Sequence, residues 1–241
     1  MSVIVQSVWL GPRLSTMEQL CIRSYQAHGH EFHLYTYEDV EGVPEGTVIK
    51  DARDIWEVDP EHWPSVICIS DFFRYRMLIS KGGWYVDMDT VCLRSLDSTD
   101  DYVFAAEDVL EDGGFLVCNN IIKAPAGSWF LWYLLGKLSG IDLTKWSWAA
   151  TATGPMTAAL YETGMERWVN SPEVFNPIYH PHVPEFIAAL PLGSLLDLIP
   201  WTKEGPYTLH WWRGGWQQRG LDTDATYHPD SLYERMKARY L

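Results

Sequence analysis

Residues 70–89 constrain this chain more than any other stretch. Ser70 reads as an N-cap with Asp71 in the first turn. The spacing predicts a helix to about residue 80 that stops at Lys81-Gly82-Gly83. A strand is predicted over 84–91. Strand side chains alternate, so Tyr85, Asp87 and Asp89 share one face while Trp84, Val86 and Met88 share the other. The apolar face belongs in a core. The opposite face gathers two carboxylates at a strand end, where they repel each other unless a cation or donor group lies between them. Asp71 and Arg74, three apart on the helix, face the same way. Each pair alone fits a surface ion pair or a solvated turn. Joined by a glycine turn that folds helix back onto strand, they read as a site.

The surrounding pattern is mixed. A strand at 3–8, a helix at 16–28 and a strand at 32–37 suggest an α/β unit with a parallel sheet. Residues 38–61 are acidic and irregular, with one short strand at 47–49. Strands follow at 102–106 and 115–122, then helices at 129–138 and 155–161, where Pro155 suits the first turn. A strand at 207–212 and a helix at 231–240 close the chain. No repeat or linker interrupts the pattern, so one domain is expected over 1–241, long enough to bury a sizeable core.

Charge and cysteines narrow the function classes. A net charge of -14 opposes binding to nucleic acid phosphates or anionic lipid. An anionic nucleotide ligand would need a bridging divalent cation. Cys21, Cys68, Cys92 and Cys118 are scattered, as expected of reduced thiols in a cytoplasmic protein. Residues 1–9 lack the basic start of a signal peptide, and the apolar run at 129–135 is too short to span a bilayer, so no integral membrane segment is expected. The 13 tryptophans suit a Trp-rich core as well as stacking surfaces.

The pattern S-D-x-x-R-x-x-x-L-x-x-x-G-G-x-Y-x-D-x-D is filled here by Ser70, Asp71, Arg74, Leu78, Gly82, Gly83, Tyr85, Asp87 and Asp89. It resembles the signature of the DXD sugar transferases of glycosyltransferase family 32, shared by the glucosyltransferase domains of the large glucosylating toxins. Val8-Trp9-Leu10-Gly11 resembles the family's first strand end, whose Trp stacks on the donor base. Asn119 in Val117-Cys118-Asn119-Asn120 resembles the Asn that contacts the donor sugar, with Asn120 one register away. Thr153-Gly154-Pro155 resembles a helix start of the family. His210-Trp211-Trp212-Arg213-Gly214-Gly215-Trp216 resembles the C-terminal motif, with Gly215 where the family usually has Ser.

The resemblance implies a single GT-A domain, Rossmann-like and nucleotide-sugar-binding, with a central mainly parallel sheet. It implies a retaining, metal-dependent transferase that moves a hexose from a nucleotide sugar, UDP favoured over GDP, to a glycan, a lipid-linked sugar or a protein. Asp71, Arg74, Asn119 and Asp87 would be catalytic. Trp9, Leu10, Tyr85, Asp87, Asn120, Arg213 and Trp216 would bind the nucleotide sugar. Asp87, Asp89 and His210 would hold Mn²⁺ or Mg²⁺, ions that suit oxygen-rich ligands.

Two other classes compete. Residues 84–91 also fit the apolar strand and D-x-D-x-T of haloacid-dehalogenase phosphatases, in which Asp87 would be the nucleophile. That motif normally opens its domain, whereas more than 80 residues precede it here, and the acidic pairs Asp100-Asp101 and Glu111-Asp112 follow too soon. A non-catalytic carbohydrate-binding protein would use exposed Trp, but such modules are usually all-β sandwiches. His28, His30 and His33 straddle a helix end and a strand, a poor arrangement for a metal.

Overall fold

The computed structural model of the protein describes residues 3–145, 147–189 and 205–241. Strand β1 (Ile4–Trp9) buries Val5 and Val8 and pairs in parallel with β2 (Glu31–Thr36). The crossover between them is α1 (Thr16–Ala27), whose first turn is closed by Glu18 Oε2 accepting the Ser15 backbone N–H at 2.7 Å. β3 (Val48–Asp51) extends the parallel edge. The next crossover, α2 (Val66–Lys81), leads to β4 (Gly83–Val86), which pairs in parallel with β1. β5 (Thr90–Cys92) then leaves this sheet.

β6 (Val103–Val109) and β7 (Phe115–Ala124) form an antiparallel hairpin, and β7 pairs antiparallel with β4. Helices α3 (Trp129–Leu138), α4 (Trp148–Thr151) and α5 (Thr153–Thr163) follow. β8 (Val169–Asn170) joins β6 in parallel, and α6 (Pro172–Phe175) comes next. β9 (Thr208–His210) pairs antiparallel with β5 in a separate two-stranded sheet, ahead of α7 (Arg213–Gln218) and α8 (Leu232–Tyr240). The main sheet has the order β3-β2-β1-β4-β7-β6-β8, and among the described residues only β7 runs against the others. The expected α/β fold with a mainly parallel sheet is present. The expectation of one domain over 1–241 includes residues 1–2, 146 and 190–204, which lie outside the described residues.

β4 is central and covered on both faces. Trp84, Val86 and Met88 pack with Val5 and Phe32, as their alternation predicts. Tyr85 points the other way, into a cluster with Phe73 and Phe104, and is 1% exposed. Burying an aromatic or aliphatic side chain of this size contributes about 1.5–3 kcal/mol. Gly82 makes the helix-to-strand turn possible. Its φ is +65°, and an added Cβ would stand 2.5 Å from the Ala126 nitrogen.

Three expectations need correction. α2 starts a turn earlier than predicted, because Ser65 Oγ accepts the Cys68 N–H at 3.1 Å and caps it. Ser70 and Asp71 are therefore mid-helix, and Ser70 Oγ donates back to the Ile67 carbonyl. The early turn escaped notice because Val66 and Ile67 are exposed and break the apolar period. The strand over 84–91 divides at a turn, where the Thr90 N–H and Oγ1 both donate to the Asp87 carbonyl. Asp89 thus owes its position to that turn rather than to strand alternation. The last strand ends at His210, because Trp212 takes a left-handed conformation, φ 57°, that turns the chain into α7. The helix expected at 155–161 spans Thr153–Thr163, and the short elements β8, α4, α6 and α7 were not anticipated. Among the described residues no helix is long and apolar enough to cross a membrane.

Candidate active site

A cavity of 680 Å³ opens at the carboxyl ends of β1, β4 and β6, where open α/β sheets place their ligands. Trp9 and Leu10 reach it from β1, Tyr85 and Asp87 from β4, Cys118 and Asn119 from β7, and Glu107 from β6. Asp71 and Arg74 enter from α2. His210, Trp212 and Arg213 enter from the β9–α7 turn.

Arg74 ties one side together. Its side chain is 3% exposed, with Asp71 Oδ1 at 3.1 Å and Asp87 Oδ1 at 3.0 Å. It also donates to the Asn119 carbonyl at 2.8 Å and lies over the Tyr85 ring, 4.7 Å from its centroid. The pair that could have been a surface ion pair is buried. Asp71 accepts further hydrogen bonds from Asn119 Nδ2 at 2.9 Å and Thr151 Oγ1 at 2.7 Å. Burial raises the Asp71 carboxyl, opposed by Arg74 and by those two donors. Asn119 Nδ2 also donates to the Tyr75 hydroxyl.

Asp87 and Asp89 differ in their surroundings. Asp87 Oδ1 accepts from the Tyr85 hydroxyl at 3.0 Å, and Arg74 approaches both of its oxygens. Burial raises Asp87, Arg74 opposes the rise and Asp89 adds to it. Asp89 Oδ2 faces His210 Nε2 at 3.2 Å and accepts the Arg213 backbone N–H at 2.8 Å. Burial works against the Asp89 charge, but His210 and Arg213 outweigh it and hold the carboxyl below its usual range. Among the described residues Asp89 Oδ1 accepts no hydrogen bond.

The antiparallel pairing of β5 with β9 sets Thr90 opposite His210 and so carries the histidine to the turn. Behind it runs a chain of amides. Asn176 Nδ2 donates to the Ala106 carbonyl at 2.9 Å, and Asn176 Oδ1 accepts from Asn120 Nδ2 at 2.7 Å. Asn120 Nδ2 in turn faces His210 Nδ1 at 3.1 Å, an arrangement that leaves the ring hydrogen on Nε2, toward Asp89. Burial disfavours a charged His210, but Asp89, Asp87 and Glu107 outweigh it and raise its pKa.

The predicted residues separate accordingly. Trp9, Leu10, Asp71, Arg74, Tyr85, Asp87, Asp89, Asn119, His210 and Arg213 line one cavity. Asn120 does not line it and stands behind His210 instead. Trp216 is fully buried, and its Nε1 donates to the Trp211 carbonyl at 2.8 Å, so its placement lends no support to a grip on the diphosphate. Arg213 Nε donates to Glu18 Oε1 at 2.9 Å, while its guanidinium lies over the Trp9 ring, 5.4 Å from the centroid. His28, His30 and His33 make separate bonds to Tyr240, Val3 and Glu31.

Sequence reasoning missed Thr151, Tyr75, Glu18, Asn176 and Glu107. Only Glu107 left a signal, a carboxylate inside the apolar run of β6. Among the described residues no three His, Cys, Asp or Glu side chains form a ready-made metal cage. The donor set nevertheless fits a hard divalent ion that takes one or two carboxylates and completes its shell with phosphate oxygens, because Asp89 Oδ1 is unengaged among the described residues.

A mainly parallel sheet with paired aspartates turned out at its carboxyl edge, beside an aromatic strand end and a buried Asp–Arg pair, is the architecture of the GT-A fold. Residues 17–105 match the family model of the glycosyltransferase sugar-binding region containing the DXD motif. No curated protein matches the chain in sequence. Among solved structures, PaToxG glycosyltransferase is similar at a TM-score of 0.52 and 12% identity, over 99% of this chain and 86% of that one, a likeness of fold. GlyE of Streptococcus pneumoniae TIGR4 is matched at 0.49 and 12%, over 99% of this chain and 63% of its own, so this chain spans less than two thirds of GlyE. Galactosyltransferase LgtC, solved with donor and acceptor sugar analogs, is matched at 0.41 and 14%, over 88% and 87%.

Proposed function

We propose that the protein is a retaining, metal-dependent hexosyltransferase that uses a nucleotide sugar, with UDP favoured over GDP. The observation that carries this is the convergence of the Asp71–Arg74–Asp87–Asn119 network with the Asp89–His210–Arg213 turn in one cavity. Trp9 offers a ring for the base at the β1 end, and Leu10 and Tyr85 border the nucleoside. Asp71, Arg74 and Asn119 orient the sugar hydroxyls. Asp89 and Asp87 would hold Mn²⁺ or Mg²⁺, and His210 would complete the set once its Nε2 hydrogen leaves. Such a cation, when bound, supplies the positive charge that steadies the departing diphosphate. Arg213 stands beside Asp89 to meet the same diphosphate, in place of Trp216. The phosphatase alternative needs Asp87 on the strand that opens its domain, and here β1, β2 and β3 precede β4. A cytoplasmic location accords with four free, buried cysteines.

The test is a donor panel. The pure protein is incubated with Mn²⁺ and with UDP-glucose, UDP-galactose, UDP-N-acetylglucosamine and GDP-mannose, and free nucleotide is measured. Metal-dependent release from a UDP-sugar is expected. Release indifferent to metal, or from none of the four, overturns the proposal.

A further inference from the structure

The side of the cavity away from Trp9 holds a carboxylate that the donor reading leaves unused. Glu107 lines the cavity from β6 and is 7% exposed. The pairing of β6 with β7 slips at this residue: Ala106 faces Val117 and Asp108 faces Leu116, so Glu107 is the extra residue of a β-bulge. A bulge breaks side-chain alternation and re-aims one residue, and bulges concentrate beside active sites. The same device acts next door, where the register jumps from Phe104–Ile122 to Ala105–Cys118 and Asn119 lies inside the jump.

Glu107 is poorly compensated. Burial raises its carboxyl, the nearby His210 and then the Cys118 thiol oppose the rise, and among the described residues no cationic side chain forms an ion pair with it. A thiol is a weak donor. Burying a carboxylate with so little support costs stability unless a ligand brings the missing donors.

Its place in the sheet says which ligand. Across the order β1-β4-β7-β6 the cavity residues run Trp9, Asp87, Asn119, Glu107, at about 4.8 Å per strand. With the base at Trp9 and the donor sugar at Asn119, Glu107 stands one strand beyond the sugar. Trp212 borders the same cavity, with its Nε1 committed to the Ile178 carbonyl at 2.8 Å and its ring packed on His210 at 3.9 Å between centroids, so what it adds to the cavity is the remaining apolar ring surface. A carboxylate acceptor and an aromatic ring in one cavity match a pyranose, which presents hydroxyl donors and an apolar C–H face.

We propose that Glu107 is the acceptor-binding carboxylate of this site, holding a hydroxyl of a sugar acceptor beside the donor sugar. The inference rests on the transferase reading above. In transfer, the acceptor oxygen bonds to the anomeric carbon as the bond to the diphosphate oxygen breaks. The electron pair leaves on the diphosphate, and the hydroxyl proton goes to that leaving oxygen. Glu107 holds a neighbouring hydroxyl and takes no proton.

The experiment uses the whole chain with Mn²⁺ and UDP-glucose or UDP-galactose. It compares hydrolysis with transfer to p-nitrophenyl α- and β-hexosides and, separately, to peptides bearing Ser, Thr and Tyr. Transfer to a hexoside is expected. Glu107→Ala should raise the KM for that hexoside roughly 10- to 100-fold, the worth of a hydrogen bond to a charged group. Hydrolysis should fall much less than transfer, and Mn²⁺-dependent UDP binding, still measurable, reports an intact fold. Glu107→Gln, which keeps an acceptor oxygen, should fall between. Unchanged transfer in Glu107→Ala overturns the assignment. So does equal loss of hydrolysis and transfer in both variants, or a wild type that labels peptides alone or no acceptor at all. A wild type that hydrolyses no nucleotide sugar overturns the transferase reading instead.

Discussion

His210 and Asp89, 121 residues apart in sequence, meet with Nε2 3.2 Å from Oδ2. The Arg213 N–H shares that oxygen at 2.8 Å, so among the described residues the other oxygen of Asp89, a residue lining the cavity, carries no hydrogen bond. Asp89→Asn keeps the shape but removes the charge that would hold a divalent ion beside a diphosphate. Mn²⁺-dependent UDP binding should weaken at least by the roughly 10- to 100-fold that follows loss of a supporting partner in metal sites. Calorimetry with and without Mn²⁺ checks this. Undiminished Mn²⁺ dependence would remove Asp89 from the cation site.

Arg74 is the cation between two buried carboxylates, Asp71 and Asp87. Replacing it by Met leaves both without it, and breaking a buried pair from one side costs about 3–5 kcal/mol. Urea unfolding of Arg74→Met against wild type measures the loss. A cost under about 1 kcal/mol, as at exposed pairs, would mean that water reaches the pair.

Two tryptophans should answer to different assays. Trp9 is half-buried at the cavity, held by its Nε1 donating to the Arg13 carbonyl at 3.1 Å. Trp9→Ala should weaken UDP binding by roughly 1–3 kcal/mol, one base–aromatic stack, and leave a folded protein. Trp216→Ala should instead destabilise the fold by about 3–5 kcal/mol as a core truncation, with UDP affinity retained in the folded fraction. An exchange of these outcomes would return Trp216 to the donor site.

His30 makes the fold sensitive to acid. Its Nδ1 donates to the Val3 carbonyl at 3.2 Å, and its Nε2 accepts the Leu96 N–H at 3.0 Å, so the neutral ring is fully used. Burial depresses its pKa below the usual 6.5, against the opposing pull of the Val3 bond. A depressed folded pKa means that the unfolded chain binds the proton first. The stabilisation is therefore complete above about pH 6.5 and is lost as pH falls through the lower folded value. Unfolding free energies at pH 7.5 and pH 5 should differ less in His30→Gln than in wild type. Equal differences would exclude His30 as a source.

Local geometry explains which parts of the site were legible. Asp71 and Arg74 face together because any helix sets residues three apart on one side, and α2 is a helix whether it begins at Ser70 or, as found, at Val66. Trp84, Val86 and Met88 share a face for the similar reason of strand alternation. Asn119 and Asn120 could not be separated in sequence. One lines the cavity and the other backs His210 because β7 slips against β6 at that point, and a slip depends on the partner strand. The setting of Trp216 was illegible for a related reason: a Trp in a motif looks alike whether its ring faces a cavity or, as here, Tyr233 in the core.

By itself the sequence determined the strand–helix–strand start, the helix–glycine–strand unit and the identity of the two aspartates, all set by torsions and spacings within a few residues. Only the tertiary structure decided that Asp87 is held by Arg74 and Tyr85 while Asp89 is held through one oxygen by His210 and the Arg213 N–H, and that Thr151 and Glu107 enter the site at all. Those outcomes follow from strand order, a β-bulge and the pairing of β5 with β9. Each joins residues far apart in the chain, and each is stabilised by burial and hydrogen bonding that no local stretch possesses before the sheet assembles.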